Sequence, residues 1–399
     1  MGLGKLRYYA LAISSIAGTI IGVGMFGLPY VALRSGFFLM LLYLVVFGVI
    51  VGIGHLLYLE VTLRTRQNHR LTGYTGYYLG PRWKTVTFVQ GIISLWGTLL
   101  IYTIVAAKFF FLIFPQLGGA IFETQVGILF FLLCAWIIWK GDKTIGNQEL
   151  LFTIPMVVLI VVIFGKSLAL FGASRELFFS ASPDNWIAPY GITLFALYGF
   201  SIIPVIEHVL APAKKKALTL HYPFIVLFGT LLPALLYILF TWGVLAASGT
   251  HTTQDALSGL TIPLGHGIVA IGALLGIFAI YTSFIAVGNE LQQTFYQDYR
   301  FKKIGSIIGA LGVPFILYLA NIRNFIAIAD FVGALMGGYI GIVVILLFWK
   351  AKQKGDMAPP FSLTLSKPLG FLMMAIFAFA SLYAIATTLS PLFLSAVWN

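Results

Sequence analysis

The chain has 399 residues and a net charge of +12; 60% are hydrophobic and only 9% charged, far below the roughly 25% usual for soluble domains. Apolar stretches of roughly 18 or more residues recur from end to end, the signature of membrane-spanning helices. The longest linking segments (64–83, 250–262 and 351–367) are too short to fold around cores of their own, which excludes a separate catalytic module.

Apolar length and loop punctuation predict eleven helices, at about 8–32, 38–63, 84–114, 125–140, 149–171, 188–210, 222–248, 264–298, 304–320, 325–349 and 369–396. Lys5 and Arg7 imitate a signal-peptide n-region, but the apolar run beyond them continues past about 15 residues with no A-x-A site, so it reads as helix 1. The lone Cys134 falls in helix 4, which leaves no intrachain disulfide. The N-terminus and the even-numbered loops hold nearly all the basic residues, among them Arg64, Arg70, Lys84, Lys143, Lys214, Lys216, Lys302 and Lys352. The opposite side holds Arg34, Arg175 and Arg323. This asymmetry places the N-terminus in the cytoplasm and, after eleven spans, the C-terminus outside a plasma (inner) membrane. It also disposes of nucleic acid as a partner, because the charge is a topology signal spread over several loops.

Helix 1 contains "GVGMFGLPY" and helix 6 contains "LYGFSIIPV", and in each a glycine is followed five residues later by proline (Gly24 to Pro29, Gly199 to Pro204). Helices 1–5 (8–171) and 6–10 (188–349) have nearly equal lengths, and five spans per half start the second half from the opposite face. An inverted repeat with matched glycine/proline interruptions predicts discontinuous helices around 21–25 and 197–201, with a ligand site between them. Helix 11 (369–396) lies outside the repeat. Unwound backbone at mid-membrane needs partners. A half-helix N-terminus offers N–H groups to a carboxylate, and the preceding C-terminus offers carbonyls to an ammonium group or Na⁺. A zwitterionic amino acid fills both.

"GTIIGVGMFGLPYV" resembles the first-helix signature of the amino acid–polyamine–organocation superfamily, with its five-plus-five repeat of the bacterial leucine transporter. "LLYLEVTLRT", "LFALYGFSIIPVIEHVL" and "YTSFIAVGNELQQTF" extend the resemblance to the amino acid/auxin permease and hydroxy/aromatic amino acid permease branch. The resemblance implies that the Gly22, Val23 and Gly24 backbone meets the substrate carboxylate. Carbonyls around Ile20, Phe195 and Ala196 would meet its amino group, with Gly199, Tyr102 and Ser283 lining the pocket and Phe200 capping it. It further implies a possible Na⁺ site at Thr282 and Ser283, completed by the Gly18 and Ile21 carbonyls. The residues alone favour the two hydroxyls bonding back to their own helix.

Among ionisable residues in apolar segments, Glu290, expected deep in helix 8, is the candidate proton carrier, and Lys166 in helix 5 is the reserve despite standing near the outer end. Glu60 and Glu207 close helices 2 and 6, and Asp330 is a candidate outer gate with Arg34 or Arg323. No Walker, H-E-x-x-H, C-x-x-C or G-x-S-x-G motif occurs, and the six histidines show no metal-ligand spacing. The expectation is a secondary transporter of small neutral amino acids, with no cofactor and with H⁺ or Na⁺ as coupling ion. An amino acid-sensing receptor of the same fold is the alternative. An aromatic content of 16% carries little weight for substrate choice, since such residues also populate interfacial belts. The sequence leaves the oligomeric state open.

Overall fold

The computed structural model describes residues 3–117, 119–140, 149–172, 185–215, 221–298 and 300–397. Among the described residues every regular element is helical. Nine helices among the described residues are long and apolar enough to cross a membrane and a bent pair at the N-terminus supplies a tenth span, while Lys303–Leu319 is apolar but shorter. Lys143, Arg175 and Lys216, counted in the charge asymmetry, lie outside the described residues.

Helix 2, Phe37–Leu63, shows how the sequence builds a lipid-facing wall. Its 27 residues extend about 40 Å at 1.5 Å per residue, enough to cross a hydrocarbon core of about 30 Å. Phe38, Leu42, Val45 and Val49, at three- and four-residue spacing, are exposed, whereas Met40, Leu44, Phe47 and Val51 are buried. Helices 4 and 11 carry similar exposed stripes, including Leu129, Leu133 and Trp136, and Leu372, Ile376 and Phe379. So much exposed apolar surface suits lipid and not water. The turn into helix 2 takes a single residue, Gly36, whose φ of +98° is open to glycine.

Helix 3 (Pro81–Ile113) packs on helix 8 (His266–Gln293), and helix 10 (Phe325–Lys354) on the first part of helix 6. Helix 7 (Tyr222–Ser248) touches helix 1, helix 2 and helix 5 (Glu149–Phe171). Several boundaries differ from the sequence reading. The 64–83 linker contains a helix, Leu71–Leu79, with Tyr74 and Tyr78 buried; at nine residues it is too short to register as an apolar run. Helix 4 begins at Ala120. Helix 8 ends its α-helical course at Gln293 and turns through a π-helical segment, Thr294–Asp298.

At the basic end the segment after helix 10 is tied back to helix 2. The amides of Asp356 and Met357 donate to the Arg64 carbonyl, and the Leu363 amide donates to Glu60 at 2.6 Å. Glu60 is fully buried and ion-paired with Arg64 at 2.8 Å, with Lys352 at 3.8 Å. It is a structural anchor, compensated as a buried carboxylate must be.

Candidate functional site

Helices 1 and 6 are both broken. The first half of helix 1, Leu3–Ile20, gives way at Ile21 and Gly22, passes through a tight 3-10 turn at Val23–Gly27 and resumes as Leu28–Ser35, bent by 48°. Helix 6 runs Pro189–Ala196, loses its helical course at 197–199, turns through Phe200–Ile202 and resumes as Ile203–Lys215. The prolines do not make the breaks. Pro29 and Pro204 each sit second in the resumed half, where the missing N–H costs nothing.

The two breaks lie side by side. A Cβ added to Gly199 would come within 2.7 Å of the Ile20 side chain, and one added to Gly24 within 2.7 Å of the Ala196 Cα. Numbers rise from 20 to 24 on one helix as they fall from 199 to 196 on the other, so the breaks run antiparallel. Gly24 therefore permits close packing of backbone on backbone. Gly22 differs: the nearest atom to its virtual Cβ is the Ile20 carbonyl at 3.9 Å, so the space beside it is open. No side chain caps the 3-10 turn that Gly22 opens, which leaves amides of the kind a carboxylate accepts from.

The carbonyls ending both first halves meet one hydroxyl. Tyr237 on helix 7, fully buried, donates to Ile20 O at 2.6 Å and lies 3.2 Å from Ala196 O. The same oxygen has the Gly22 amide as a hydrogen-bond neighbour. Phe195 O accepts from the Tyr198 amide at 3.4 Å. Tyr237 thus belongs to the site, and nothing local in the sequence marks it: one tyrosine in an apolar helix carries no pattern.

The two sides of the breaks differ. Beyond helix 1's break, Phe26 packs edge-on against Phe109 of helix 3 at 4.8 Å and Phe240 of helix 7 at 5.9 Å, all three buried. Toward the basic end a cavity of about 770 Å³ opens between the Leu71–Leu79 segment and helices 3, 8 and 10, and it reaches helix 6's break at Tyr198 and Ser201. Residues 20–24 of helix 1 do not line it.

The remaining candidates divide. Tyr102 is half-buried on helix 3 between the two core clusters. Val23 and Ile21 are buried at the break. Phe200 turns to helix 2, edge-on to His55 at 4.4 Å, and so stands away from Gly22's open side. Thr282 donates back to Phe278 O and Ala279 O of its own helix, Ser283 is half-buried beside it, and Gly18 faces the Thr153 hydroxyl of helix 5. Lys166 is exposed on helix 5. Glu290 is not deep. It sits in the last turn of helix 8, lines the cavity and is ion-paired with Arg70 at 3.0 Å. At the end of the bundle opposite the basic one, Arg323 stacks on Tyr318 and reaches Thr124, while Arg34 lies over Tyr30.

A sequence model of the tryptophan/tyrosine permease family matches residues 8–386. No curated protein sequence matches the chain. Among solved structures, the crystal structure of MhsT in complex with L-phenylalanine is similar over 97% of this chain and 98% of that one, at 18% identity and a TM-score of 0.64. At that identity the likeness speaks for the fold.

Proposed function

We propose a transport mechanism from one premise: this chain belongs to the tryptophan/tyrosine permease family. It is a multi-pass membrane permease for amino acids and not an enzyme. Our reading is a cation-coupled symporter of aromatic amino acids, driven by H⁺ or Na⁺, that works by alternating access around the paired breaks.

The observation that carries this reading is the antiparallel contact of the two breaks, Ile20 on Gly199 and Gly24 on Ala196, at the point where open backbone is concentrated. The amides following Gly22 hold the substrate carboxylate, and the Ile20 and Ala196 carbonyls hold its ammonium group. Tyr237 satisfies those carbonyls between transport events. The phenyl cluster of Phe26, Phe109 and Phe240 is the closed outer gate, and the cavity at the basic end is the open path to the cytoplasm. A phenylalanine-bound solved structure of the same fold, together with the family's name, supports an aromatic substrate.

Purified protein in liposomes tests the reading. Labelled tryptophan, tyrosine and phenylalanine should accumulate under an imposed proton or sodium gradient, with alanine and lysine poor competitors. Uptake of none of the three under either gradient would overturn it.

A further inference from the structure

His55 on helix 2 is fully buried, one contact away from helix 6's break. Its Nδ1 lies 2.9 Å from the Thr230 hydroxyl of helix 7. That hydroxyl already donates its proton to Val226 O at 2.9 Å, so it accepts from His55 and fixes the proton on Nδ1. Nε2 is left as a bare lone pair, buried and without a hydrogen-bond partner. A buried acceptor with nothing to accept is costly, and this one abuts the element that the transport cycle must move. A Cβ at Gly199 would lie 3.0 Å from His55 Cε1, the ring atom between Nδ1 and Nε2.

We infer that His55 Nε2 is the proton-binding site of the coupled transport cycle, with the Phe200 ring as the shutter between it and the cavity. The inference rests on the cation-coupled reading above and names the cation. Phe200 closes on the imidazole at 4.4 Å, and its chain neighbours on either side of Gly199 and Phe200, Tyr198 and Ser201, line the cavity. Gly199 and Phe200 thus stand in the chain between two cavity-lining residues and both touch the imidazole. When helix 6 shifts at Gly199, Nε2 takes a proton from water on one side of the membrane, forming a second N–H bond. It returns that proton to water on the other side after the opposite shift.

Among the described residues no hydrogen bond or ion pair joins a charged side chain to the imidazole. Helix 6 presents Tyr198 beyond Phe200, helix 7 presents the Thr230 hydroxyl, and helix 2 itself presents Tyr58, 6.3 Å from Phe200. Helices 10 and 11 offer Gly341, Val344, Met373 and Phe377 around the small space beside Phe200. The Arg70–Glu290 pair lies farther out, on the cavity wall.

The test uses full-length protein in sodium-free liposomes holding a pH-sensitive dye. Added tryptophan should acidify the interior with wild-type protein. His55→Asn, whose amide nitrogen can still reach Thr230, should exchange labelled for unlabelled tryptophan yet acidify no more than empty liposomes. Thr230→Val, which keeps the imidazole, should move the pH profile of uptake to the acid side by about one unit, because a charged donor gains more than a neutral one from the lost acceptor. Substrate-linked acidification by His55→Asn, or an unmoved profile in Thr230→Val, overturns the inference. So does loss of exchange along with acidification in a folded His55→Asn, which would make the ring structural. Wild-type transport without acidification defeats this inference alone, whereas no wild-type transport under any gradient defeats the functional reading with it.

Discussion

The Tyr237 hydroxyl sits 2.6 Å from the Ile20 carbonyl, and 3.2 Å from that of Ala196, so one side chain of helix 7 closes the C-terminal ends of both broken helices. Two such ends bring the negative poles of two half-helices to one point, where a cation or a donor is required. Removing the hydroxyl leaves buried carbonyls without that donor, a cost of about 1–3 kcal/mol. Tyr237→Phe should therefore unfold at lower temperature than wild type in the absence of ligand. Tryptophan should restore more of the lost stability in the variant, because its ammonium group supplies the missing donor. Equal melting temperatures with no ligand would show that the hydroxyl does not hold the breaks.

The two glycines of helix 1's break should respond differently to the same added methyl. Gly24→Ala drives a Cβ against the Ala196 backbone at 2.7 Å, and backbone cannot swing aside. Overpacking of that kind costs about 1–3 kcal/mol, so both stability and uptake should fall. Gly22→Ala meets nothing closer than 3.9 Å and should fold normally. Its methyl would stand where the carboxylate approaches, so tryptophan affinity should drop while the melting temperature holds. Thermal unfolding and equilibrium binding on the two variants separate these outcomes, and identical behaviour would remove the distinction.

Glu290→Gln should keep pH-driven tryptophan accumulation. The carboxylate is ion-paired with Arg70 on the cavity wall and part-exposed there, and a pair so exposed contributes about 0–1 kcal/mol. Accumulation measured in liposomes at two external pH values tests this. Loss of the pH response in the variant would move the proton site from His55 to Glu290.

Ser201→Cys should report the open side. Ser201 is exposed in the cavity, while the single native cysteine, Cys134, is fully buried and should stay silent. An impermeant thiol reagent should label the variant from the cytoplasmic face, and excess tryptophan should slow that labelling as the cavity closes. Faster labelling from the outer face would reverse the assigned orientation.

What the sequence made legible was what it repeats or patterns locally. The membrane-spanning helices follow from apolar length, and the breaks from Gly24–Pro29 and Gly199–Pro204, although the chain unwinds at 21–22 and 197–199, ahead of the prolines. Contacts between distant residues left no such trace. His55 and Thr230 are 175 positions apart and Tyr237 and Ile20 are 217 apart, and neither pair shares a motif. An apolar run over 264–298 predicts Glu290 deep in helix 8; the α-helix stops at Gln293, and Glu290 in its last turn lines the cavity. The Leu71–Leu79 helix escaped because it is held by buried Tyr74 and Tyr78 and not by a long apolar run.

The most direct test of the site is an experimental structure of the protein bound to L-tryptophan. The ligand carboxylate should accept from the amides that follow Gly22, and its ammonium group should lie within hydrogen-bond reach of the Ile20 and Ala196 carbonyls, with the Tyr237 hydroxyl drawn back from at least one of them. Tryptophan bound only in the cavity beside Arg70 and Glu290, with Tyr237 still closing both carbonyls, would contradict the account.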